Sequence, residues 1–98
     1  MARKITTRGI IAAFISGRTE YGLMSLYSHE IETIIPQYGK SKFREWRNAS
    51  TYQRKFREMK QDGFPELSKL NIKITPDVSH PEYNGNVYKI EKITGDLQ

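Results

Sequence analysis

A chain of 98 residues with a net charge of +5 and only 37% hydrophobic residues has room for one small domain and none for a large buried enzyme pocket. Cysteine is absent, which excludes disulfides and thiolate chemistry, and two histidines, His29 and His80, are too few and too far apart for a zinc site. Eleven isoleucines and eleven aromatic residues can still fill one core, so a folded domain across 1–98 is expected.

The first predicted element is a helix over 7–16. Thr6 or Thr7 can cap it, Ile10, Ile11, Phe14 and Ile15 recur at helical spacing, and Gly17 suits a left-handed exit. Residues 18–27 read as a loop with a short extended piece at 23–27. Ser28 then reads as an N-cap, with Glu30 and Glu32 near the positive helix end and Ile31, Ile34 and Ile35 as the apolar stripe. Pro36 ends or kinks that helix, which is therefore expected to be short. Residues 38–48 read as a short helix or turn, with Phe43 and Trp46 one turn apart among Lys40, Lys42, Arg44 and Arg47.

The third helix, 50–62, carries the most consistent signals. Ser50 and Gln53 form a capping-box pattern, Tyr52, Phe56 and Met59 mark a buried stripe, Gly63 suits a left-handed cap, Phe64 can fold back, and Pro65 forbids continuation. Beyond it the period changes to two. Ile72 and Ile74 point one way in 71–75; in 86–93, Tyr88 and Ile90 share one face and Val87 and Ile93 the other. Pro76, Pro81 and the pair Asn84 and Gly85 mark the intervening stretch as a long, polar, mobile tip. The expected fold class is α+β, three main helices followed by a two-stranded antiparallel hairpin. A basic arm (1–6) precedes it and a short polar tail (94–98) follows.

Charge is unevenly placed. Residues 38–60 carry +6 and residues 1–20 carry +3, while 21–37 and 61–98 carry −2 each. A clustered excess of this kind implies an anionic partner.

The stretch 49–63, ASTYQRKFREMKQDG, followed by a hairpin whose second strand holds Val87, Tyr88, Lys89 and Ile90, resembles the winged helix-turn-helix family. At the level of architecture the resemblance covers residues 6–93. It implies a DNA-binding domain in which the third helix enters the major groove and the hairpin is the wing, serving transcription or replication. Such proteins often dimerise, which would make the first helix the dimer surface. Residues 36–49 are longer than the usual turn between the two helices, and the tip carries Asp77 and Glu82.

The residues support DNA on their own account. With Tyr52, Phe56 and Met59 facing inward, Arg54, Arg57 and Gln61 project from the opposite flank, joined by Ser50 at the capped end. Gln53, Lys55 and Lys60 lie on the sides. Arg pairs bidentately with guanine and Gln with adenine. The helix N-terminus, with Ser50 and Thr51, suits a phosphate. Lys40, Lys42, Arg44 and Arg47 are expected to hold the backbone. If about six such cations neutralise phosphates, the log–log salt slope is roughly −5.

Plainer uses compete with these. A basic helix face can be solvated surface, and Glu58 can pair with Arg54 at i,i+4. Tyr38, Phe43 and Trp46 are expected in the core rather than stacked on bases. His29 and His80 are expected to be ordinary surface residues; Arg3, Lys4 and Arg8 read equally as a tail or as an arm reaching a groove. No paired carboxylates, nucleophile beside a base, or Gly-rich phosphate loop is present, so neither catalysis nor a cofactor is expected. The alternative reading is a protein-interaction module, favoured by the acidic C-terminal third and the long tip. RNA is a weaker option, since no RNA-recognition motif is visible. No apolar run approaches the roughly 20 residues that span a bilayer and no signal stretch is visible, so no membrane partner is expected and the location is expected to be cytoplasmic or nucleoid-associated, not secreted.

Overall fold

The computed structural model describes residues 5–22 and 24–93; Arg3 and Lys4 of the arm, Leu23 of the expected extended piece and the tail 94–98 lie outside the described residues. Those described form an α+β domain with four helices and a three-stranded antiparallel sheet. The order is α1 (Thr7–Glu20), β1 (Ser25–Tyr27), α2 (Ser28–Phe43), α3 (Ala49–Gln61), α4 (Pro65–Ser68), β2 (Ile72–Pro76) and β3 (Val87–Lys92). The sheet runs β1-β3-β2, with Leu26 opposite Tyr88 and Ile74 opposite Ile90. No helix of the described residues is long and apolar enough to cross a membrane.

The N-cap of α1 is Thr6, whose hydroxyl accepts from the Gly9 N–H at 2.9 Å. Ile10, Ile11 and Ile15 are fully buried, each adding about 2 kcal/mol of burial. The helix runs past Gly17 to Glu20, one turn beyond expectation. Arg18 on that extra turn reaches across to the carboxylate of Glu30 and the carbonyl of Ser25, which holds the turn helical. The left-handed exit falls instead at Gly22 (φ 76°).

The extended piece is a true strand, and it adds to the hairpin. The two strands expected at the C-terminal end are thus two of three, with β3 in the centre. Tyr27 rather than Ser28 is the N-cap of α2; Glu30 reaches back to its N–H at 2.9 Å.

The second helix is 16 residues long, not short, and contains Pro36. Proline removes the hydrogen bond to the Glu32 carbonyl, but Glu32, Thr33 and Ile34 are exposed, so water can serve that carbonyl. On the other flank Ile31, Ile35 and Gly39 are buried against α1 and α3, and this packing outweighs the local penalty. The helix thereby absorbs most of 38–48 and ends at Arg44, which is left-handed (φ 56°). What read as a long gap before the third helix is a link of five residues, 44–48.

The third helix keeps its expected stripe: Tyr52, Phe56 and Met59 are buried. Its start differs. Asn48 is the N-cap and Ser50 lies inside the first turn, so the capping box does not form; Gln53 donates to Glu32 on α2 instead. Its end is as expected. Gly63 (φ 80°) and Phe64 return their N–H groups to the carbonyls of Lys60 (3.2 Å) and Met59 (2.8 Å), a Schellman cap, and the Phe64 ring packs 5.5 Å from Phe56. Pro65 stops α3 and opens α4 at its first turn.

Ile72 and Ile74 face the core as the alternation requires, and Tyr88 and Ile90 do the same from β3. Val87 is also buried but lies apart from the main cluster, whereas Ile93 is exposed. In the tip, His80 is no ordinary surface residue. Its Nε2 lies 3.1 Å from the Tyr27 hydroxyl and its Nδ1 accepts from the Glu82 N–H at 3.0 Å, fastening the tip to β1.

Candidate nucleic-acid interface

The outer flank of α3 follows from its inner one. Because Tyr52, Phe56 and Met59 are seated in the core, helical geometry turns Ser50, Arg54, Arg57 and Gln61 into solvent, and all four are exposed. Arg54 does not pair with Glu58; Lys55 does, at 3.2 Å. Among the described residues neither Arg54 nor Arg57 has a carboxylate within ion-pair distance. Thr51 is half-buried.

Beside this flank lies a cleft of about 330 Å³ between the start of α2, α3 and β3, with Arg57, Lys60 and Gln53 on one wall and His29 and Glu32 on the other. Lys60 is exposed, and its ammonium lies 3.0 Å from the hydroxyl of Tyr88 and 5.4 Å from the ring centre. The cleft mixes apolar side chains (Ile31, Phe56) with the cations Arg57 and Lys60, and among the described residues Glu32 is the one carboxylate lining it. His29 was read as surface and Tyr88 as core. Their meeting at the cleft depends on β3 crossing the start of α2, which no local pattern encodes.

The four upstream cations divide. Lys40, Lys42 and Arg44 are exposed and have no carboxylate partner among the described residues. Arg47 is turned inward: it pairs with Glu45 at 3.0 Å and donates to the Ile5 carbonyl at 2.9 Å, tying the link to the start of α1. It clamps the fold and drops out of the expected backbone-binding set. Arg8 is similarly engaged and is neither tail nor arm. Its guanidinium donates to Glu66 (3.0 Å) and Asp62 (2.9 Å), and those hydrogen bonds, Glu66 first, raise its pKa further above the ordinary arginine value.

Of the three aromatic residues expected in the core, Tyr38 and Phe43 are partly buried, with ring centres 5.7 Å apart, and burial raises the Tyr38 pKa. Trp46 is not in the core. Its side chain is 75% exposed, with the Lys40 ammonium 4.3 Å above the ring. Its neighbours Arg44, Glu45, Arg47 and Asn48 are all polar, the one local sign that the ring faces water.

Compared with known proteins, the chain matches no protein-family model, no curated protein and no solved structure.

Proposed function

We propose that this chain is a winged helix-turn-helix protein that binds duplex DNA, with α3 in the major groove, as a regulator of transcription or replication. The order of elements, the sheet order β1-β3-β2 and the five-residue link between α2 and α3 support the fold reading, with β2 and β3 as the wing. One observation carries the functional reading. Arg54, Arg57 and Gln61 stand on the solvent flank of a helix whose other flank is fixed in the core, with no side-chain partner among the described residues. A helix presented this way fits the major groove, where each bidentate arginine–guanine contact contributes about 1–3 kcal/mol of discrimination.

Lys40, Lys42 and Arg44, immediately before α3, supply the phosphate contacts, with Lys60 beside the cleft as a further cation. Ser50 and the N–H groups of the first turn of α3 suit a phosphate as well. Replacement of both Arg54 and Arg57 by Ala, read as affinity for duplexes selected from a random pool, tests this. The expected loss is about 100-fold or more with folding unchanged; undiminished affinity would remove α3 from the interface.

A further inference from the structure

We infer that Trp46 is a stacking platform for an unpaired nucleobase at the end of a duplex, so that the protein prefers duplex DNA bearing a single-stranded tail. The inference rests on the duplex-binding reading above and adds a second kind of contact to it.

Trp46 is the only tryptophan in the chain and is 75% exposed. An indole left in water while smaller groups fill the interior is free to bury its face against something else. Among the described residues the one cation over the ring is the Lys40 ammonium at 4.3 Å, a cation–π contact that also places positive charge beside it. Lys42 and Arg44 are exposed nearby along the chain, and the one acid next to Trp46, Glu45, is neutralised by Arg47. The surroundings are therefore cationic, which favours a polyanion over an acid-poor protein surface.

The chain on both sides of the ring is anchored. The Glu45 N–H is bonded to the Gly39 carbonyl at 3.1 Å, and Arg47 ties the link to Ile5, so the residues on either side of Trp46 are anchored to α2 and α1. Ala49 lies three positions further on, at most about 11 Å of chain. A nucleobase stacked on Trp46 would lie beside the first turn of α3, where a strand leaving the duplex can reach it. Aromatic platforms flanked by cations bind single-stranded nucleic acid with little sequence preference, since every base offers a π-face.

Because Trp46 is the sole indole, its fluorescence reports on this site alone. The full chain is titrated with a blunt duplex, with the same duplex carrying a short thymidine tail, and with the same tail made abasic. The expected result is that the tailed duplex binds about tenfold more tightly than the blunt one and quenches Trp46. The abasic tail should do neither. Trp46→Ala should erase the preference while leaving blunt-duplex affinity and thermal stability unchanged, and Trp46→Phe should keep part of it. Equal affinity for blunt and tailed duplexes with unchanged fluorescence would overturn the stacking site while leaving the α3 reading intact. A tail preference that survives in Arg54→Ala/Arg57→Ala alongside undiminished blunt-duplex affinity would overturn the α3 reading and keep the platform. Quenching by an acidic peptide, with no binding of any of the oligonucleotides, would overturn both.

Discussion

The arginines of α1 and those of α3 are the same residue type in the same kind of element, yet their surroundings are opposite. Arg8 is held by Asp62 and Glu66, and Arg18 is held by Glu30 and the Ser25 carbonyl while lying 4.9 Å from the Phe14 ring centre. Arg54 and Arg57 project from α3 with no such partners among the described residues. Carboxylates on α2, at the C-cap of α3 and on α4 have thus been matched to the cations that hold helices together, and the excess charge of residues 38–60 is left largely uncompensated. Net charge alone distinguishes none of these roles. The location of each carboxylate does.

The contrast can be broken most forcefully at Glu30, which is buried and receives both the Arg18 guanidinium and the Tyr27 N–H. Glu30→Ala leaves Arg18 unpaired between α1 and β1 and should cost about 3 kcal/mol, a Tm decrease of more than about 10 °C in a domain of this size. Thermal unfolding followed by circular dichroism checks it. Arg8→Ala removes a partly exposed clamp, and the expected loss is smaller, about 1–2 kcal/mol by denaturant titration. Neither exposed arginine of α3 should behave this way: Arg54→Ala and Arg57→Ala should stay within about 0.5 kcal/mol of the parent.

The inner flank of α3 offers a finer test. A Cβ at Gly39 would collide with the Tyr52 hydroxyl, which is buried and has no hydrogen-bond partner among the described residues. Gly39→Ala should therefore cost about 1–2 kcal/mol despite the better helix propensity of alanine. Tyr52→Phe should be neutral or stabilising and should rescue Gly39→Ala, because the colliding atom is gone. A double-mutant cycle with no coupling would show that α2 and α3 are not seated as described.

The smallest expected effect is at high pH. Burial favours the neutral phenol of Tyr38, so its folded-state pKa lies above the unfolded one. The stability it contributes is present below the ordinary tyrosine value of about 10 and declines as pH rises through the folded value, since the unfolded chain then binds fewer protons. Tyr38→Phe should flatten that alkaline decline.

The third helix was legible because its stripe, its glycine stop and its proline agree, and each acts within a few residues of its cause. The length of α2 was not. Pro36 is a strong local stop, and only the burial of Ile35 and Gly39 against other helices carries the chain past it. Strand β1 has three residues, too few for a period to register, and it exists because β3 offers an unpaired edge. The exposed arginines of α3 followed from its buried stripe. The inward turn of Arg47 did not, since its acceptor, the Ile5 carbonyl, lies 42 positions away. Trp46 was misplaced because large aromatic residues are usually needed inside, whereas here Tyr52, Phe56 and the isoleucines already fill the interior.

The central claim is that the cations of α3, of the end of α2 and of the link that lack a carboxylate partner among the described residues meet a polyanionic duplex, and the salt dependence of binding measures that directly. Four exposed cations assigned to phosphates, Lys40, Lys42, Arg44 and Lys60, give an expected slope of about −3.6 for log K against log salt. The Arg54→Ala/Arg57→Ala protein, which loses base contacts, should bind more weakly at every salt concentration with a nearly parallel slope, whereas Lys40→Ala/Lys42→Ala should make the slope shallower by about 2. Undiminished affinity in the first variant and an unchanged slope in the second would contradict the account.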